Sequence, residues 1–116
     1  MRTRVTRTFT FEAAHHLPWH AGRCKGLHGH GYRLEVTVEG PLDANGVVVD
    51  FDDLKAVVQR EVVDRYDHTC LNDLLDNPTA ELVAADAWER LEAAGLAPAR
   101  LRLWETPTSS VEILPG

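Results

Sequence analysis

The chain has 116 residues, with 12 Lys and Arg against 18 Asp and Glu and a formal net charge of −6. A domain of this size buries only about two-thirds of its unfolded surface, so a substrate-sized cavity inside one copy would strain the core, and a site shared between subunits is the simpler expectation. The cations are scattered, which argues against nucleic acid as a partner, and no stretch approaches the roughly 18 apolar residues that span a bilayer.

The N-terminal MRTRVTRTFTF lacks the apolar core of a signal peptide. The expected protein is therefore soluble and cytoplasmic, with no membrane partner. Cys24 and Cys70 are too few for a disulfide framework and read as free thiols.

From Val5 to His15 the odd positions Val5, Arg7, Phe9, Phe11, Ala13 and His15 are mostly apolar at the strand period, which predicts a strand. From His28 the even positions His28, His30, Tyr32, Leu34, Val36 and Val38 predict a second, half-buried strand paired with the first. "PLDANG" is turn chemistry, and "VVVDF" is a short strand or extended lead-in to Asp52, the candidate N-cap. Leu54, Val57, Val58, Val62 and Tyr66 recur at helical spacing, so a helix is expected from about Asp53 to Tyr66. Asn77-Pro78 then makes a turn and Thr79 an N-cap. Val83, Ala84, Ala87, Trp88, Leu91 and Ala94 form a second helical stripe, closed by Gly95 in the C′ position. "RLRLWE" and "SVEIL" alternate again and predict a closing strand pair joined through "TPTS". The order ββααββ gives one α+β domain over residues 1–116, an antiparallel sheet with two helices on one face.

The chemistry concentrates in "CKGLHGHGY", residues 24–32. The i, i+2 spacing of His28 and His30 puts both imidazoles on one side of the strand. His15, in phase with Phe9 and Phe11, also faces inward. If the two strands pair across the loop from Leu17 to Leu27, three neutral nitrogens converge with an open fourth position, the donor set of a catalytic Zn²⁺ rather than a structural one. The glycines let backbone and substrate approach closely. Histidines at a strand end are more often solvated or hydrogen-bonded than metallated, so H-x-H alone leaves that reading open. His16 points away from His15 and His20 lies in the long loop, and neither is expected to bind metal.

Cys24 lies in a loop between Arg23 and Lys25, where cationic neighbours and a nearby metal favour the thiolate. Cys70, beside Leu71, reads as a small packed hydrophobe. Asp67 and His68 can form a carboxylate–imidazole pair that tunes a base, although adjacent side chains ordinarily diverge, which leaves another partner open for Asp67. Glu105 follows Leu101 and Leu103 in phase and faces inward with them. A buried carboxylate needs donors, and the N–C–NH₂ edge of a pterin or guanine supplies two.

The segments "FEAAHHL", "CKGLHGHGY", "VVVDFDDLK", "YDHTCLND", "NPTAELVA" and "RLRLWET" resemble, in order and spacing, the 6-pyruvoyl-tetrahydropterin synthase and 6-carboxy-tetrahydropterin synthase family over nearly the whole chain. The resemblance implies a tunnelling fold (T-fold), in which sheets of several subunits close into an oligomeric barrel, commonly a hexamer built as a dimer of trimers with sites at subunit contacts. It implies zinc on His15, His28 and His30, catalytic roles for Cys24, Asp67 and His68, and a pterin-anchoring role for Glu105, with Thr79 near the pterin. The implied substrate is 7,8-dihydroneopterin triphosphate, and no nicotinamide is required.

Two departures bear on pterin or triphosphate contacts. Leu82 stands where many members carry asparagine, and "SSVEILPG" lacks an aromatic residue often found there. The short chain and the form "CKGLHGH" are similar to the carboxy-forming members that feed 7-deazapurine (queuosine-type) biosynthesis. The expected activity is that of a 6-carboxy-5,6,7,8-tetrahydropterin synthase, a lyase yielding 6-carboxytetrahydropterin, acetaldehyde and triphosphate. The alternatives are the pyruvoyl-forming synthase and a noncatalytic zinc- or pterin-binding module.

Overall fold

Alternation in the first forty residues produces a long hairpin. A computed structural model of the chain describes residues 1–116, with β1 (Arg4–His15) and β2 (His28–Glu39) pairing antiparallel from Arg4↔Glu39 to His15↔His28. Phe9, Phe11, Tyr32, Leu34 and Val36 share the buried face, and Phe11 stacks on its partner Tyr32 with ring centroids 4.9 Å apart. The sheet is extended by β4 (Arg100–Thr106), with Leu34↔Leu103 and Val36↔Leu101, and closed by β5 (Ser109–Ile113). These are the two closing strands the alternation predicts.

One strand was not expected. Thr69–Cys70, β3, runs parallel to β1 through Ala13↔Thr69 and Ala14↔Cys70, so the sheet order is β3-β1-β2-β4-β5.

The first helical region starts earlier than the sequence reading placed it. α1 spans Phe51–Val58 and is capped by Asp50, whose side chain accepts from the Asp52 N–H; "VVVDF" forms no strand. Asp52 and Asp53 instead occupy the first turn, where carboxylates complement the helix dipole. The helix continues through a π-helical stretch, Gln59–Val63, into α2 (Asp64–Tyr66). Leu54, Val58, Val62 and Tyr66 are all buried. A strict spacing of four drifts around an α-helix of 3.6 residues per turn, and the wider π turn keeps the last two on the core side.

α3 (Ala80–Ala93) begins at Thr79, whose Oγ1 accepts from the Leu82 N–H at 3.1 Å. Gly95 follows with φ +89°, the left-handed geometry that suits glycine after a helix. Val83, Ala84, Ala87 and Leu91 press into the same core. α3 lies against β4 and β5, and the earlier helical region against β1. No helix is long and apolar enough to cross a membrane. The opposite face of the sheet, with Thr6, Thr8, Thr10 and Arg33, is exposed in the single chain.

Candidate active site

The hairpin register delivers the three histidines together. His15 faces His28 directly, and His30 lies two residues further along the same face of β2. One ligand atom from each of His15, His28, His30 and Glu105 lies within 4.8 Å of all the others. His15 is fully buried.

The second ring nitrogens define the tautomers. His15 Nδ1 sits 2.8 Å from the Pro78 carbonyl and His28 Nδ1 2.8 Å from the Gly26 carbonyl. A carbonyl only accepts, so both Nδ1 atoms carry hydrogen and, in the neutral rings a metal needs, both Nε2 atoms present lone pairs. Those two Nε2 atoms are 3.0 Å apart. Two lone pairs at that distance repel unless a cation lies between them. A proton on one ring could relieve this pair, but His30 Nε2 is also buried without a hydrogen-bond partner. Glu105 Oε1 is 3.3 Å from that nitrogen, yet off the line a hydrogen bond needs. A metal ion answers all three nitrogens at once, and imidazole nitrogens held by carbonyls on their far side suit zinc. The residues fit the group.

Glu105 borders the three imidazoles, with Oε1 3.1 Å from His15 Nε2. The adjacent His15 ring holds the Glu105 carboxyl below its ordinary range against the opposing effect of burial, and the other imidazoles add to this. Burial works against a charged His15, but Glu105 and the Pro78 carbonyl outweigh it and raise its pKa. Burial lowers the pKa of His30, against the pull of Glu105. The sequence reading assigned Glu105 to a pterin edge; in the structure its carboxylate turns toward the imidazoles.

Cys24 sits on a single 3-10 turn, Arg23–Lys25, and shares a depression of about 230 Å³ with Arg23, His28 and His30. Asp67 and His68 leave α2 by an unusual route. His68 has φ +59°, a left-handed conformation that is strained for a side-chain-bearing residue. That backbone folds the imidazole back, so the adjacent side chains meet: His68 Nδ1 donates to Asp67 Oδ2 at 2.9 Å. The Glu12 N–H donates to Asp67 Oδ1 at 2.9 Å, and the His68 N–H donates to the Glu12 carbonyl at 2.6 Å. The Glu12 N–H, then His68, holds the Asp67 carboxyl below its ordinary range. The His68 ring is exposed, with Nδ1 committed to Asp67 and Nε2 the remaining nitrogen.

His68 lines a cavity of about 440 Å³ with Glu12, Gly29, His30, Gly31 and Cys70. Glu12 and Gly31 are register partners and alternate out of phase with the histidines, so this cavity opens on the other face of the hairpin. A side chain at Gly31 would come within 3.2 Å of the Glu12 carboxylate. Cys24 and His68 of one chain thus stand on opposite faces, with His30 bordering both cavities. Cys70, expected as a packed hydrophobe, is only half-buried and lines the His68 cavity. Thr79 spends its hydroxyl oxygen capping α3.

The sequence profile of the family described as 6-pyruvoyl tetrahydropterin synthase matches residues 4–115. The chain belongs to that family. A 6-carboxy-5,6,7,8-tetrahydropterin synthase of Synechocystis is 41% identical over 99 residues, covering 79% of this chain and 77% of that protein. A dihydroneopterin monophosphate aldolase of Pyrococcus furiosus is 39% identical over 116 residues, covering 97% and 98%. Among solved structures, the 6-pyruvoyl tetrahydropterin synthase of Caenorhabditis elegans matches with a TM-score of 0.88 at 25% identity, over 100% of this chain and 97% of that one. In this family member, sequence reasoning missed the carbonyls of Gly26 and Pro78, because a backbone acceptor leaves no mark in residue type. It also missed Asn72, which holds the main chain of His16 through two hydrogen bonds.

Proposed function

We propose that this chain is a zinc-dependent lyase that converts 7,8-dihydroneopterin triphosphate to 6-carboxy-5,6,7,8-tetrahydropterin, acetaldehyde and triphosphate. The observation that carries the reading is the convergence of three imidazole nitrogens, with the far nitrogens of His15 and His28 held by carbonyls and His30 Nε2 buried without a partner. Family membership and the Synechocystis relative supply the substrate class. We place the reaction in the cytoplasm, in a 7-deazapurine (queuosine-type) route.

In this reading His15, His28 and His30 hold zinc through Nε2. The bound ion supplies Lewis-acid polarisation of the substrate's side-chain oxygens. Glu105, kept ionised beside the imidazoles, accepts from the amidine-like edge of the pterin. Thr79, whose oxygen is already engaged at the helix start, keeps its hydroxyl proton for the ligand. The Cys24 thiolate removes the activated side-chain proton, and His68, oriented by Asp67, takes up and returns protons at Nε2. Loss of triphosphate and cleavage of the C1′–C2′ bond follow with one water consumed: C1′ is oxidised to the carboxylate, taking its second oxygen from water, C2′ and C3′ leave as acetaldehyde, and the pterin ring is reduced in the same sequence, so no nicotinamide is consumed.

Opposite faces within one chain prevent Cys24 and its own His68 from meeting one substrate atom. The thiol of one copy and the Asp67–His68 pair of another therefore complete each site, in a homo-oligomeric barrel assembled as a dimer of trimers. The exposed polar sheet face and the two-residue edge strand β3 suit such closure.

The Pyrococcus furiosus relative, aligned over almost the full length of both chains, favours a second reading: aldol cleavage of dihydroneopterin monophosphate by the same metal and proton-moving groups. Consumption of the two pterins separates them. Turnover of the triphosphate with release of inorganic triphosphate supports the first reading, and turnover of the monophosphate alone transfers the assignment to the second.

A further inference from the structure

We propose that Asn72 is a positioning residue for His15: its side-chain amide replaces a missing strand and fixes the backbone from which the buried imidazole is aimed. The proposal rests on the reading of His15, His28 and His30 as metal ligands and adds a residue that touches none of the reacting atoms.

The parallel ladder between β1 and β3 ends at Ala14↔Cys70. Beyond it the main chain of His16 has no strand beside it. Asn72 fills that place: its Oδ1 accepts from the His16 N–H at 2.9 Å and its Nδ2 donates to the His16 carbonyl at 2.9 Å. An N–H facing one amide atom and a carbonyl facing the other settle which is oxygen and which is nitrogen. Cys70 Sγ approaches the same Oδ1 at 3.9 Å.

The clamp is itself anchored. Asn72 sits in a single 3-10 turn, Leu71–Asp73, whose Leu71 is fully buried in the core. His15 is therefore held at two points, its following peptide by Asn72 and its Nδ1 by the Pro78 carbonyl. Metal ligation tolerates deviations of only about 0.2 Å in ligand distance. Loss of a group that orients a ligand typically costs about 10–100-fold in metal affinity. A side chain that merely filled space would show no such coupling to the metal.

The test measures zinc Kd on purified apo-protein by competition with a chromophoric chelator, together with the d–d absorption of the cobalt-substituted form. Asn72→Ala is expected to weaken zinc by roughly 10–100-fold and to alter the cobalt band while the apo-protein stays folded by circular dichroism. Asn72→Asp keeps the acceptor but sets a carboxylate oxygen against the His16 carbonyl, so it too should weaken zinc and alter the cobalt band. It also serves if Asn72→Ala does not fold. His16→Ala retains the clamped peptide and should bind zinc as wild type does. Wild-type Kd and an unchanged cobalt band in the Asn72 variants overturn the inference while leaving the metal reading intact. A wild-type chain that takes up no zinc overturns the metal reading and this inference with it.

Discussion

Cys24→Ala and His68→Ala should each be nearly inactive alone and should restore one another when co-assembled. Cys24 shares its depression with His28 and His30, whereas His68 opens on the opposite face of the hairpin. In the proposed mechanism each residue moves a proton, so each single variant should lose about 10²–10⁴-fold in turnover. In the proposed assembly, an oligomer formed from equal amounts of the two would draw the thiol of each site from one chain and its imidazole from another. Half the chains carry an intact Cys24 and half an intact His68, so roughly a quarter of the sites regain both. Co-expression with two affinity tags and sequential purification yields the mixed oligomer, and release of triphosphate from 7,8-dihydroneopterin triphosphate reads its activity. Recovery to about a quarter of wild type stands far above the ceiling of about 1% expected for either variant alone. Mixed oligomers no more active than the separate variants would mean that thiol and imidazole act within one chain, and the opposite-face argument would be wrong.

Cys24→Ala should keep its zinc and Cys70→Ala should keep its turnover; equal activity in both by steady-state assay would support the noncatalytic module. Glu105→Gln preserves shape but removes the charge beside the imidazoles, so pterin affinity by titration calorimetry should fall while zinc stays bound; loss of zinc would instead make Glu105 a metal ligand. Asp86, between Tyr66, Arg65 and Arg90, gives a pH prediction. Burial opposes its charge, but the Tyr66 hydroxyl and the two guanidinium groups outweigh it and hold its carboxyl below the ordinary value. A depressed carboxylate stabilises the fold above its unfolded value of about 3.9 and loses that contribution as pH falls toward the folded one. Urea unfolding of wild type should therefore weaken from about pH 5 downward more steeply than that of Asp86→Asn, and parallel profiles would remove Asp86 from the acid response.

The hairpin and its histidines were legible because strand alternation is a two-residue period, and His15, His28 and His30 keep that phase with Phe9, Phe11 and Tyr32. The start and finish of α3 were legible from Thr79 and Gly95. β3 was not, since two residues carry no alternation. Its absence from the sequence reading also hid the placement of His68, which is set where Glu12 captures the chain. The cap of α1 was misplaced by two positions because Asp50, Asp52 and Asp53 offer the same carboxylate, and backbone geometry chooses among them. Nothing in the order Asp67-His68 foretold that the two side chains would meet, because that depends on a left-handed backbone at His68, which histidine adopts more readily than most residues but which no turn signal in this stretch marks.

Product analysis tests the central claim most directly. Zinc-loaded protein incubated with 7,8-dihydroneopterin triphosphate, without nicotinamide, should give 6-carboxytetrahydropterin and acetaldehyde in equal amounts by mass spectrometry. Formation of 6-pyruvoyl-tetrahydropterin with no acetaldehyde would contradict the assignment.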